Sequence, residues 1–275
     1  MTSMKTLGAV SANLISSLYK LNKTIFKLQD IEAITGLKEN AASDLAGKLI
    51  KRNIISRLKQ GKYIIIPQEI GKDSKYIGNW YVAAREIVNS PDCYISYYSA
   101  MDMHNMVTHP LTKVFVNTPK QEYKKQKIAG GVIFEFIYIS SKNLWGIKNF
   151  WVTKSEQVKV SDIERTIIDC LYRPQYCGGI LEIAKGLWMQ KQKIDFNRLF
   201  NYAVRFDRIV VIKRLGYILE SLGLKDACYL NKLKSKINNK YYTLDPLLNA
   251  VETYKNLWKC IANISPQEIK QAVHS

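Results

Sequence analysis

No apolar run in this 275-residue chain is long enough to cross a bilayer as a helix. Apolar stretches such as Val132-Ile133-Phe134 and Phe136-Ile137-Tyr138-Ile139 are short and are interrupted by Glu135. The first 23 residues mix Ser, Asn and Lys through their apolar positions and carry no small-residue cleavage site, so a cytoplasmic location is expected and no membrane partner. Cysteine is sparse and unpaired in pattern: residues 93, 170, 177, 228 and 260 form no C-x-x-C, which argues against a disulfide framework or a zinc ribbon and for reduced, mostly buried thiols. There are only three histidines. His104 and His109 are five apart, the wrong step for one helix face, and Pro110 places His109 in a loop, so a plain loop histidine is expected there rather than a metal site.

Catalytic signatures are also missing. Gly130-Gly131 and Gly178-Gly179 lack the spacing and the following Lys-Ser/Thr of a phosphate loop and read as turns, and no G-x-S-x-G elbow occurs. A restriction-type nuclease would want E-x-K on a strand, but the residue two after Glu135 is Ile137. No enzymatic activity, cofactor or metal is therefore expected. Acidic residues are few: 41 Lys and Arg stand against 23 Asp and Glu, a net charge of +18, which admits nucleic acid, a membrane surface or an acidic protein as partner. With 47% hydrophobic residues, 17 Tyr and 5 Trp, the chain can bury a real core, which excludes a disordered basic tail.

The N-terminal pattern is the most regular. Val10, Leu14, Ile15, Leu18 and Leu21 have helical spacing; a second helix is predicted over 28–35 with Gly36 ending it in a left-handed conformation. A third helix, over 38–52, places Ala42, Leu45, Ala46, Leu49 and Ile50 on one face. Strands are predicted at 54–58 and 63–66, joined by a tight turn in which Gly61 supplies the positive φ. Helix, helix, turn, helix and hairpin is the order of a winged helix-turn-helix, whose last helix enters the major groove. On this reading Asn40 and Ser43 are placed for base contacts, Lys38, Lys48 and Lys51 for phosphates, and Arg57, Lys59 and Lys62 for the wing. The same pattern also fits an ordinary solvated helix face with lysines guarding a hairpin edge, or a protein-interaction module.

The expected fold class is α+β: a winged helix-turn-helix over residues 1–70, then a mixed α+β domain over 71–275 that is mostly helical after 160 and ends in a helical bundle. Residues 1–70 hold a net +6 and the remainder +12. In the second region a helix is predicted over 75–88, a helix start at 97–101, and strands at 113–117, 132–139 and 147–153. Helices follow at 161–171, 180–189, 196–204, 209–222 and 227–236. Ser161-x-x-Glu164 reads as a capping box. Arg165 and Asp169, at i and i+4, read as a helix-face ion pair, with exposure of Arg165 to a toxin or RNA as the alternative. Glu164 and Asp169 are rotated by roughly 140° from one another on a helix and do not converge on a metal. Lysine clusters at 120, 124, 125, 127 and at 232, 234, 236, 240 are solvated faces, or extensions of a DNA footprint that would support cooperative binding of several copies.

The string Ser161-Asp162-Ile163-Glu164-Arg165-Thr166-Ile167-Ile168-Asp169-Cys170-Leu171, followed by Pro174 and Gly178-Gly179, is the most distinctive in the chain. Together with Tyr98-Ser99-Ala100-Met101-x-x-His104 and Leu215-Gly216-Tyr217-Ile218-Leu219-Glu220-x-x-Gly223, it resembles the AbiEi family, antitoxins of type IV abortive-infection toxin–antitoxin pairs that act in phage defence. The resemblance runs from about Phe26 to Leu224. It implies a transcriptional repressor that binds the operator DNA of its own promoter through the winged helix. It also implies a second domain, marked by Glu164, Arg165, Thr166, Asp169, Gly178 and Gly179, that opposes a nucleotidyltransferase-like toxin without needing a stable complex with it. A DNA-processing nuclease targeted by a winged helix and a stand-alone transcriptional regulator are the alternatives.

Overall fold

The computed structural model describes residues 7–70, 75–88, 90–121, 125–154, 156–249 and 256–274. The chain is mixed α+β and divides into two compact units, Met1–Asn89 with Gln126–Phe134, and Ser90–Lys125 with Glu135–Ser275. The division expected after residue 70 falls elsewhere because the helix near residue 80 belongs to the first unit, as does a hairpin that returns from beyond residue 125.

In the first unit, α1 (Ala9–Lys20) leads through β1 (Ile25–Lys27) to α2 (Leu28–Thr35) and α3 (Glu39–Lys51), then to the hairpin β2 (Ile55–Lys59) and β3 (Lys62–Ile65) and to α4 (Trp80–Val88). Gly36 (φ 71°) ends α2 and Gly61 (φ 71°) turns the hairpin, left-handed conformations that only glycine adopts without strain. The three residues of β1 are too few to show a period of two, yet they pair antiparallel with β3, so the sheet order is β1-β3-β2. Leu14, Leu18, Ile31, Ala42, Ala46, Leu49, Ile55 and Tyr63 form one core with Phe26 of β1. The two alanines on the buried face of α3 let its neighbours approach closely.

In the second unit, β4 (Tyr94–Ile95), α5 (Tyr97–Met103) and β5 (Lys113–Thr118) come first; the chain then visits the first unit for β6 (Gln126–Ala129) and the start of β7 (Val132–Tyr138). Then follow β8 (Ile147–Trp151), β9 (Gln157–Ser161), α6 (Ile163–Tyr172), α7 (Ile180–Met189), α8 (Phe196–Phe206), α9 (Ile209–Leu222) and α10 (Ala227–Lys234). The last elements are β10 (Tyr242–Thr243), β11 (Cys260–Ile261) and α11 (Pro266–Ala272). The second unit's sheet follows the order β7-β5-β4-β9-β8, with β4 and β9 parallel. Aliphatic side chains of α6, α7 and α9 pack around Trp258 and Phe115 in one core. No helix among the described residues is long and apolar enough to cross a membrane. Of the lysine cluster at 120–127, Lys124 lies outside the described residues.

Four of the five cysteines are buried and Cys228 is exposed. His104 caps α5, is buried, and its Nε2–H donates to the Ser161 carbonyl at 2.7 Å. A carbonyl can only accept, so that nitrogen carries the proton. Burial holds the imidazole below the usual histidine range, against the pull of this hydrogen bond.

Candidate nucleic-acid interface and motif core

Helix α3 buries Ala42, Ala46 and Leu49. At 100° per residue this turns Asn40, Asp44, Gly47, Lys48 and Lys51 to the opposite side, with Ser43 at its flank. Lys38, Asn40, Ser43, Lys48 and Lys51 are all exposed. Two residues of this face carried no signal in the sequence pattern: Asp44, a carboxylate among the cations, and Gly47, where an added Cβ would meet nothing within 4 Å. Glycine inside a helix costs about 0.5–1 kcal/mol relative to alanine, and no neighbour in the fold requires it.

The hairpin departs from expectation. Arg57 is exposed, its guanidinium 6.0 Å from the Tyr63 ring centre. Lys59 Nζ donates to the Ile87 carbonyl at 3.1 Å. Lys62 is buried and ion-paired with Glu86, which also binds Arg85 at 2.7 Å. Both lysines thus turn to α4, and Lys62 is not placed to hold a phosphate. Although burial pushes the Glu86 carboxyl upward, the hydrogen bonds from Lys62 and Arg85 hold it below the usual carboxylate range.

In the second unit the distinctive string builds a polar core. Arg165 is fully buried, which removes the reading in which it reaches a toxin or RNA. Its Nε donates to Asp169 at 2.9 Å, Nη1 to the carbonyls of Asn143 and Trp145 at 2.9 Å each, and Nη2 to the Tyr94 hydroxyl at 3.2 Å, while the guanidinium lies 4.1 Å from the Trp145 ring centre. The ion pair with Asp169 is therefore an interior one. Burial pushes the Asp169 carboxyl above its usual range, and Arg165 opposes that rise.

The capping box expected from Ser161 and Glu164 does not form. Ser161 is the last residue of β9, where its hydroxyl lies 2.7 Å from that of Thr166. Asp162 caps α6 instead, accepting from the Arg165 amide at 2.7 Å and from Tyr202 at 3.0 Å. Glu164 leaves its own helix to accept from the Asp195 amide at 2.8 Å and to pair with Arg198 at 3.0 Å. Among the described residues no group of three or more His, Cys, Asp or Glu side chains is placed to hold a metal ion.

Gly178 (φ 76°) and Gly179 (φ 92°) form a turn, as expected. Its purpose lies 65 residues away: Asp245, buried, accepts from the Ile180 amide at 2.7 Å at the start of α7, in the space a Gly179 side chain would fill. The third motif has a similar task. Gly216 leaves room for the Trp258 ring, whose indole N–H donates to Glu220 at 2.6 Å, and Tyr217 donates to the Ile264 carbonyl at 2.8 Å. The Ser99 hydroxyl, in the remaining motif, accepts from the Phe115 amide at 2.9 Å. These motif residues hold the second unit together from within.

No protein-family model matches the chain, and no curated protein sequence matches it. Among solved structures, the crystal structure of the RV2827C protein from Mycobacterium tuberculosis is similar in fold over 93% of this chain and 92% of that one, with a TM-score of 0.68 and 12% sequence identity.

Proposed function

We propose that the first unit is a winged helix-turn-helix that binds operator DNA, and that the protein is an autorepressing antitoxin of the type IV class. The observation that supports DNA binding is the outward face of α3: Asn40, Ser43 and Asp44 are exposed polar groups suited to base edges, flanked by the exposed cations Lys38, Lys48 and Lys51. Asp44 suits the amino group of a cytosine, and Gly47 lets the helix axis approach the groove wall. Of the hairpin, Arg57 is the cation directed to solvent, so backbone contacts fall to α3 and Arg57 rather than to a lysine-rich wing. The antitoxin half of the proposal rests on the motif resemblance.

The test of DNA binding is fluorescence anisotropy of the full-length protein on its own promoter DNA over a salt series. Each phosphate contact contributes about 0.9 to the slope of log K against log salt, so Lys48→Ala with Arg57→Ala should flatten it by about two and weaken binding. An unchanged slope refutes the assignment. For the antitoxin role, an adjacent reading frame for a nucleotidyltransferase-like protein should arrest growth when expressed alone and be tolerated when this chain is co-expressed. Failure of rescue at matched expression refutes it.

A further inference from the structure

The motif core has one product that is not buried. Asp169 ends its helical turn by accepting the Arg173 amide at 3.1 Å, Pro174 then starts a 3-10 turn, and the Cys177 and Gly179 amides both close on the Pro174 carbonyl at 2.8 and 3.0 Å. This fixed chain reversal presents Arg173 and Tyr176, both half-buried, to a cavity of about 460 Å³ within the second unit. Lys120 and Lys125 also line it, Tyr138 at its rim is 52% exposed, and Glu135 is the acid among the lining residues.

Three cations and one carboxylate face this space. Among the described residues the Arg173 guanidinium has no ion pair; it lies 5.4 Å from the centre of the Tyr172 ring. Lys125, exposed, likewise has no ion pair among them. The charge of the buried Asp169 is felt at Arg173, but no carboxylate among the described residues pairs with its guanidinium, and a planar fork of donors is the group best matched to phosphate oxygens. Tyr176 is stiffened from behind by Tyr97 and Phe115, with ring centres at 5.1 and 5.6 Å, so its position at the cavity is set by the core. A cavity of this volume is of the size that holds a small organic ligand.

We propose that this cavity is a nucleotide site. Phosphates meet Arg173, Lys120 and Lys125, and the base lies against Tyr138 at the rim, since an aromatic face stacks any base. The site shares no residue with α3 and does not rest on DNA binding by the first unit. The ligand is either a free nucleotide or the phosphorylated end of a nucleic-acid strand, which share this chemistry.

Calorimetric titration of the full-length protein at about 150 mM salt, where long-range attraction to the basic chain is screened, tests the proposal. The probes are ATP, GTP, CTP, UTP, inorganic tripolyphosphate and a 5′-phosphorylated trinucleotide. At least one nucleotide or the trinucleotide should bind with one-to-one stoichiometry and about tenfold or more tighter than tripolyphosphate. Arg173→Gln and the exposed Lys125→Gln should each weaken it by about tenfold, Tyr138→Ala should erase the advantage over tripolyphosphate, and Lys48→Ala with Arg57→Ala should change nothing. Preference for the trinucleotide identifies a strand end, and preference for a mononucleotide identifies a free ligand. The proposal is overturned if no probe binds at about 1 mM, if tripolyphosphate binds as tightly as every nucleotide and the trinucleotide, or if both Arg173→Gln and Lys125→Gln leave affinity intact.

Discussion

Replacing Arg165 by methionine isolates what the buried motif contributes to stability. The change leaves Asp169 in the interior with one remaining donor, the Tyr94 hydroxyl at 3.3 Å, and strips the Asn143 and Trp145 carbonyls of the guanidinium they share. Breaking one side of a buried ion pair costs about 3–5 kcal/mol, because the surviving charge is left unpaired out of water. At about 2–4 °C per kcal/mol for a domain of this size class, the melting temperature of the second unit should fall by about 6–20 °C. The double variant Arg165→Met with Asp169→Leu leaves no charge behind and should recover most of the loss.

The pH dependence of this variant carries a sign. Burial already raises the Asp169 carboxyl above its unfolded value, and loss of Arg165 raises it further. The folded state then holds its proton to higher pH than the unfolded state does, so the penalty for burying the charge is absent in acid and grows as pH rises toward the folded-state value. Arg165→Met should therefore lose less stability at pH 5 than at pH 8, measured by urea unfolding with tryptophan fluorescence. A loss under about 1 kcal/mol at pH 8, or a double variant no more stable than the single, would refute the reasoning.

Three further outcomes are expected. Because burial keeps His104 reluctant to protonate when folded, stability should be complete above its ordinary value near 6.5 and decline as pH falls below it; His104→Gln, whose amide can still reach the Ser161 carbonyl, should flatten that decline between pH 7 and 5 in thermal melts. Gly216→Ala places a methyl group into the Trp258 ring and should destabilise by about 1–3 kcal/mol or more in the same assay, whereas Gly47→Ala, with open space around it, should stabilise α3 by about 0.5–1 kcal/mol. Maleimide under native conditions should label Cys228 quickly and the four buried thiols only on unfolding; rapid labelling of a second thiol would contradict the burial described above.

The amino-acid order alone settled the local elements. The periods of α1, α2 and α3, the left-handed glycines at 36 and 61, and the helices at 180–189 and 209–222 are legible because a helix period or a glycine turn depends on neighbours a few residues away. It also placed Arg165 and Asp169 on one helix face. Whether that face was wet or dry depended on Tyr94, Asn143 and Trp145, which lie 20 to 71 residues distant. Ser161 and Glu164 had the spacing of a cap, but strand pairing with β8 claimed the serine and Arg198 of α8 claimed the glutamate. Charge was read in the same uneven way. Counting lysines near the hairpin made Arg57, Lys59 and Lys62 look alike, yet Glu86 and the Ile87 carbonyl on α4 take up the two lysines and leave Arg57 to solvent. The cation at Arg173 had no local signal, because its setting arises from packing around a 3-10 turn. Helical periodicity is a property of short chain segments, whereas the environment of a charge is set by whichever remote groups the fold brings against it, and only the tertiary structure decides those.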